Sequence, residues 1–295
     1  MKFRLIFTSI LLMLILVVSA YAAPDTTQQL SSHNHPPMIK ASGVNPPKHL
    51  VTPPKTDFWY SQNWAGYAVS GPSNSVTNVK GTWIVPTVQT TARNQYSGNW
   101  IGIDGFNSGS VEQCGTDSNT DSRGEPVYDA WYEFYPAPCY MFPNFPVVAG
   151  DKITADVTYN PSTTNPNTGT YTVSLTNART NFIATATSSS MICDRSSAEW
   201  VTEAPSMGNN ILPLTNFGIT LFGSQNTFTN TNNVYTMNGN TKTINSDPTI
   251  TGGTINSIDM ISTKSKKSTV IVKAQTGDLS PIDGASFPVT WMKAL

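Results

Sequence analysis

Histidine is scarce in this chain: three among 295 residues, at His33, His35 and His49, and none beyond. If the N-terminal stretch is removed, no imidazole remains. A Ser-His-Asp triad or a Cys-His pair needs one to take the proton from its nucleophile, so neither is available. Zinc hydrolases with histidine ligands, including the H-E-x-x-H type, are excluded on the same ground. His33 and His35 could form a short metal-binding tract, but they sit in a polar stretch that reads as linker. No metal site and no cofactor are expected. Charge is also sparse, at 12% Asp, Glu, Lys and Arg. After position 57 there are 16 acidic and 12 basic residues, mildly acidic and with no basic patch for nucleic acid. Few carboxylate pairs means little to lose when acid protonates them, which suits a protein that works at low pH. Cysteine is limited to Cys114, Cys139 and Cys193, without the paired spacing of a zinc site. An oxidising compartment would allow one disulfide with one thiol left over.

Long apolar runs are missing too, except at the start. Lys2 and Arg4 precede an apolar stretch from Leu5 to Val18, and Ala20-Tyr21-Ala22 has the small-x-small pattern of a signal peptidase site. The run is shorter than the roughly 20 residues that span a bilayer. Residues 1–22 therefore read as a secretory signal peptide, giving a secreted protein with no lasting membrane association. Residues 23–57 are rich in Pro, Ser, Gln and His and too poor in apolar residues to offset their ordering entropy. They read as a pro-segment or linker. Lys40, Lys48 and Lys55 against Asp25 and Asp57 make this stretch slightly basic, so it could cover an acidic cleft. Residues 58–295 suffice for one large domain, expected to be monomeric.

No helical period of any length appears in that domain. Alternation with period two recurs instead, bounded by Gly, Pro, Asn and Ser. Ile153, Ala155, Val157 and Tyr159 alternate with polar residues, as do Tyr171, Val173 and Leu175, and Phe217, Ile219 and Leu221; Val270 to Val272 is a short apolar run. Stretches 160–170 and 224–256 read as hairpins and loops. Many short strands of this kind predict an all-β fold, a β-sandwich.

Three segments differ in quality. On strands, side chains point alternately to opposite faces. Trp100, Gly102 and Asp104 would then share one face, Gln113, Gly115 and Asp117 another, and Asp129, Trp131, Glu133 and Tyr135 a third. From Asp104 to Glu133 there are seven acids and one base, Arg123. Acids interleaved with Trp and Tyr, nearly without counter-charge, suggest a cleft more than a solvated face. An aspartic peptidase would need two Asp-Thr/Ser-Gly turns. Asp117-Ser118-Asn119 and Asp121-Ser122-Arg123 lack the glycine. A glycosidase needs two carboxylates flanking a sugar, and Asp129 and Glu133 stand too far apart along one strand for a retaining pair. Carboxylates on different strands keep a carbohydrate-active or carbohydrate-binding sandwich as the alternative.

Five blocks, in order, carry a resemblance: Asn63-Trp64-Ala65-Gly66-Tyr67, Gly81-Thr82-Trp83-Ile84-Val85-Pro86, Trp100 to Gly105, Tyr128 to Pro136, and Ala198-Glu199-Trp200-Val201. The chain resembles the glutamic peptidases, or eqolisins, pepstatin-insensitive acid endopeptidases. The resemblance implies a sandwich of two antiparallel sheets, concanavalin-like, with polypeptide substrates. It also implies Gln113 and Glu199 as the catalytic pair, with Asp104, Asp117, Asp129 and Trp131 shaping the site and Trp64 and Glu133 beside them. Glutamate would act as general base and the neutral Gln113 amide as oxyanion donor. Cys114 follows Gln113 and would point the other way, as an apolar filler.

Overall fold

The computed structural model describes residues 29–44, 56–89, 92–165, 168–223, 233–245, 253–264 and 269–293. The signal-peptide reading of 1–22 lies outside these residues. Among them there is no helix and there are nineteen strands. The first seven are β1 (Thr56–Ser61), β2 (Trp64–Ser70), β3 (Val76–Ile84), β4 (Gly98–Ile103), β5 (Val111–Thr120), β6 (Pro126–Tyr135) and β7 (Tyr140–Met141). Next come β8 (Lys152–Pro161), β9 (Gly169–Asn177), β10 (Phe182–Thr187), β11 (Ser197–Glu203), β12 (Ser206–Met207) and β13 (Asn210–Ile211). The last six are β14 (Ile219–Phe222), β15 (Val234–Met237), β16 (Asn240–Thr243), β17 (Thr254–Lys264), β18 (Thr269–Thr276) and β19 (Phe287–Trp291).

One layer runs β7-β6-β5-β4-β11-β2-β17-β1, and the other β18-β19-β14-β3-β8-β9-β10, with β15 and β16 continuing beside β3. The pairings are antiparallel except β1 with β17. The layers are one continuous ladder, because β17 pairs first with β2 and then, past a register shift at Met260/Ile261, with β18. A bulged strand that changes layers is how such sandwiches turn a corner. β12 and β13 form a separate small hairpin.

The main core lies between the layers. Tyr67 and Val69 from β2, Ile101 and Ile103 from β4, Cys114 from β5 and Trp200 from β11 meet Trp83, Ile153, Val157, Tyr171, Val173 and Phe287 from the opposite layer. The alternation in β8 and β9 matches their burial: Ile153, Ala155, Val157, Tyr159, Tyr171, Val173 and Leu175 all point inward. In β14 the phase is the reverse of the expectation. Thr220 and Phe222 are buried while Ile219 is exposed, because Gly218 turns at φ 64° and Phe217 is buried ahead of the strand. Cys114, Cys139 and Cys193 are all free thiols, so the expected disulfide is not formed. The Cys114 thiol faces the core and donates to the Ser174 carbonyl, as its position beside Gln113 implied.

Because side chains alternate, the outer face of the first layer carries the complementary set. Trp64, Ala68, Trp100, Val111, Trp131, Val201 and Ile258 form a second apolar cluster there, joined by Met38 from the N-terminal segment.

Candidate active site

Strand register fixes three rows across the outer face of β11, β4, β5 and β6. The first is Glu199, Gly102, Gln113, Glu133; the second Val201, Trp100, Gly115, Trp131; the third Glu203, Gly98, Asp117, Asp129. Three glycines keep the floor low. An added Cβ on Gly115 would come within 2.5 Å of the Asn99 carbonyl oxygen and 2.6 Å of Trp100 Cβ. One on Gly98 would come within 2.7 Å of His35 Cε1.

The buried indoles each spend their N–H on an acceptor, as buried Trp normally does. Trp100 Nε1 donates to Glu203 Oε2 at 2.8 Å and Trp131 Nε1 to Asp117 Oδ1 at 2.8 Å. Gln113 Nε2 donates to Glu133 Oε2 at 3.0 Å, while its Oε1 has no protein partner. Burial pushes the Glu133 carboxyl up to about 8, although the His35 N–H and the Gln113 amide oppose the shift. Burial likewise raises Glu203 well above the usual carboxylate range, with Glu133 adding to it and the Trp100 N–H opposing.

Residues of the stretch read as pro-segment or linker lie in this cleft. His35 is fully buried and stacks on Trp131, with ring centroids 3.6 Å apart and planes within 4°. Its Nδ1 is 3.2 Å from Glu203 Oε2. Its N–H donates to Glu133 Oε2 at 2.9 Å, and its carbonyl accepts from Gln113 Nε2 at 2.6 Å. His33 Nε2 pairs with Asp117 Oδ2 at 2.7 Å. The segment cannot bury itself alone, but it borrows apolar surface and hydrogen-bond partners from a preformed sheet. Burial works against charge on both partners, yet their attraction prevails: His33 ends up raised and Asp117 lowered. Burial holds His35 neutral down to about 3. His33, His35 and Asp117 bring ligand-type atoms within 4.8 Å of one another, as do Asp104, Glu112 and Cys193. In the first group the short His33–Asp117 contact is itself a hydrogen bond.

Of the residues singled out in the sequence, Gln113, Glu133, Asp117, Trp131 and Trp64 converge around His35 and the following prolines. Asp129 stands at the rim, where it, His33, Asp117, Asn119 and Met141 line a cleft of about 240 Å³. Two stand apart. Asp104 leaves strand geometry at φ 71° and binds the loop before β11, accepting from the N–H of Arg195 and the N–H and hydroxyl of Ser196. Glu199 lies in the row of Gln113 but with Gly102 between them, and the Trp100 ring covers Gly102. Neither Glu199 oxygen makes a well-formed hydrogen bond, and burial raises its carboxyl well above the usual range. Glu203 is the residue the sequence reading passed over. Its signal was there: four residues after Glu199 on a strand, it shares that face.

A two-layer β-sandwich whose outer face gathers buried acids, indoles and one glutamine amide has the groups that hydrolysis by carboxylates needs. Residues 62–272 match the Peptidase A4 family. The chain is 29% identical over 255 residues to aspergillopepsin-2 of Aspergillus niger, covering 75% of this chain and 84% of the relative. It resembles the crystal structure of scytalido-glutamic peptidase with a peptide-based transition-state analogue, at 22% identity and a TM-score of 0.56, covering 78% of this chain and 98% of that one. It also resembles SCP-B, an eqolisin in complex with the tripeptide Ala-Ile-His, at 20% identity, a TM-score of 0.53 and the same coverage. This chain belongs to the Peptidase A4 family and is a glutamic-type endopeptidase.

Proposed function

We propose that this endopeptidase is secreted and cleaves polypeptides in acid, as a monomer without cofactor, with Glu203 as general base and Gln113 as oxyanion donor. Glu203 takes the role that the sequence resemblance gave to Glu199. The observation that carries this is the shared residue His35: Gln113 holds its carbonyl while Glu203 holds its ring. Glu199 lies on the far side of Gly102 from Gln113, and the Trp100 ring covers that glycine.

In the reaction Glu203 takes a proton from water as the water oxygen bonds to the scissile carbon. The carbonyl oxygen becomes an oxyanion, held by the Gln113 amide, which is neutral at any relevant pH. Glu203 then passes the proton to the leaving nitrogen, the C–N bond breaks, and a carboxyl and an amine result. Gln113 Oε1, without a protein partner, can hold the water. Glu133 is protonated in acid and orients the Gln113 amide. A neutral Glu133 adds no negative charge beside the developing oxyanion. Removing residues 34–38 re-exposes Glu203 to water. That weakens the burial that raises its carboxyl and moves it back towards the ordinary carboxylate range, where a base is useful in acid.

The test is cleavage of a denatured protein by the processed enzyme across about pH 2 to 7, with pepstatin present. Acid-limited, pepstatin-resistant cleavage is expected. An unchanged rate at neutral pH, or no cleavage at all, would refute the reading.

A further inference from the structure

On the interior side of β5, away from the cleft, three side chains converge from separate segments. Asp104 follows β4, Glu112 stands at the start of β5, and Cys193 lies in the loop between β10 and β11. One ligand-type atom from each lies within 4.8 Å of the other two. Asp104 and Glu112 are fully buried, while Cys193 is half-buried and leaves a way in from solvent. The N–H groups of Arg195 and Ser196 hold the Asp104 carboxylate in place, with lone pairs to spare. The Cys193 thiol donates to Glu112 Oε1 at 3.0 Å. That satisfies one oxygen only, since Glu112 Oε2 makes no well-formed hydrogen bond. Neither does the hydroxyl of Tyr171, which reaches the cluster from β9 in the opposite layer; burial raises its phenol, and Glu112, Cys193 and Asp104 add to the shift. Unmet buried polar atoms are rare and costly, so two at one cluster point to a ligand that both can meet. Arg195 brings no counter-charge: its guanidinium lies 4.0 Å over the Tyr159 ring and donates to the Val76 carbonyl and Asn74.

We propose that Asp104, Glu112 and Cys193, together with the Tyr171 hydroxyl, form a structural site for a divalent ion of the zinc class. Four ligands are what zinc takes in such sites. The thiolate selects zinc-like ions over calcium and magnesium, which take six or more oxygens. On binding, the thiol gives up its proton to solvent, as does any carboxyl still protonated. The paired-cysteine spacing of common zinc sites is missing from the sequence because each ligand comes from a different segment.

The ion ties the loop before β11 to both ends of the β4–β5 connection and to the opposite layer. It lies across β5 from Gln113 and takes no part in peptide hydrolysis. Its failure would leave the peptidase reading standing.

The experiment uses the full chain, stripped with a chelator at near-neutral pH and then given cobalt(II) or zinc alone. Cobalt should give a thiolate charge-transfer band, and zinc at a hundred times its Kd should raise Tm by about 5–10 °C. Cys193→Ser should lose the band and bind zinc at least about a hundredfold more weakly, since even a partner behind a ligand is worth 10–100-fold. His33→Ala, which breaks the other cluster of ligand-type atoms, should leave the band unchanged. No band and no shift in Tm, or a band that survives Cys193→Ser, would overturn the site. A second measurement does not depend on any variant folding. Zinc should slow alkylation of Cys193 in the wild-type chain by about tenfold or more, read by mass spectrometry of the labelled peptide. Equal labelling with and without zinc would also overturn it.

Discussion

Glu203→Gln and Glu199→Gln separate the two glutamates that share one strand face. Glu203 Oε2 accepts from Trp100 Nε1, and Oε1 accepts from Asn63 Nδ2 at 3.2 Å. An amide in its place puts a donor against one of these donors whichever way it turns. Asn63 cannot simply flip to compensate, since its Oδ1 already accepts from Ile39 N–H and the Ser61 hydroxyl. One mismatched buried donor costs about 1–3 kcal/mol. At roughly 2–4 °C per kcal/mol for a domain of this size, Tm falls by several degrees and the protein still folds. Activity falls much further, because the amide cannot take a proton; general base catalysis supplies roughly 10²–10⁴-fold. Glu199→Gln loses no charge in acid, because its raised carboxyl is already neutral, and no well-formed hydrogen bond. Its rate should stay within about threefold of wild type, a change below 1 kcal/mol in the barrier. The assay is pepstatin-resistant cleavage of denatured protein by each processed enzyme, with a melting curve on the same sample. A Glu203→Gln enzyme as active as wild type, or a folded but inactive Glu199→Gln enzyme, would refute the assignment.

Three further outcomes are expected. The His33–Asp117 pair should make inhibition of the processed enzyme by a synthetic peptide of residues 29–44 depend on pH. His33 is raised from 6.5, so its contribution is complete below that value and fades as pH rises through its folded pKa. Asp117 is lowered from 3.8, so its contribution holds above that value and is lost as pH falls through its folded pKa. The pair's own contribution, read as the difference in inhibition constant between this peptide and its His33→Ala form, should be largest between about pH 4 and 6.5, and a difference that stays flat from about pH 2 to 6 would contradict this. Gly98→Ala should raise KM and weaken the peptide about tenfold while leaving Tm nearly unchanged, because its Cβ would meet His35 Cε1 at 2.7 Å but protein outside the segment only at 3.1 Å, at Asp117 Oδ1. Gly66→Ala should abolish soluble expression or lower stability by more than about 3 kcal/mol, since its φ is 143° and the Cβ would sit 2.1 Å from the Trp200 carbonyl oxygen. Ordinary expression with an unchanged melting curve would contradict that.

Much of this architecture is legible in the sequence because β-strands sort side chains by parity. Ile153 to Tyr159, the split between Asp129-Trp131-Glu133 and Tyr128-Ala130-Tyr132, and the outward pair Gln113 and Asp117 follow from alternation alone. Parity fails where the backbone leaves the strand. Asp104 sits one residue past β4 at positive φ and turns from the cleft, and Gly218 resets the phase at Ile219. Parity also cannot choose between Glu199 and Glu203, which share a face. That choice depends on the Trp100 ring, whose direction is a matter of packing. For the N-terminal segment, charge suggests only that it could cover an acidic cleft; its path is not legible, because composition measures what a stretch can bury by itself, and His35 is buried against four strands, β4, β5, β6 and β11.

The split personality of β5 constrains how this protein can change over time. Its even positions, Glu112 and Cys114, serve the interior, and its odd positions, Gln113 and Asp117, face the cleft. Substitutions on the working face can therefore accumulate with little effect on the interior, so new substrate preferences are accessible without refolding. A single inserted or deleted codon is another matter. It would rotate a thiol into the cleft and the Gln113 amide into the core in one step, exchanging both surfaces at once. Lineages of this enzyme should therefore vary in length in the loops between strands, while the spacing from Gln113 to Asp117 within β5 stays fixed.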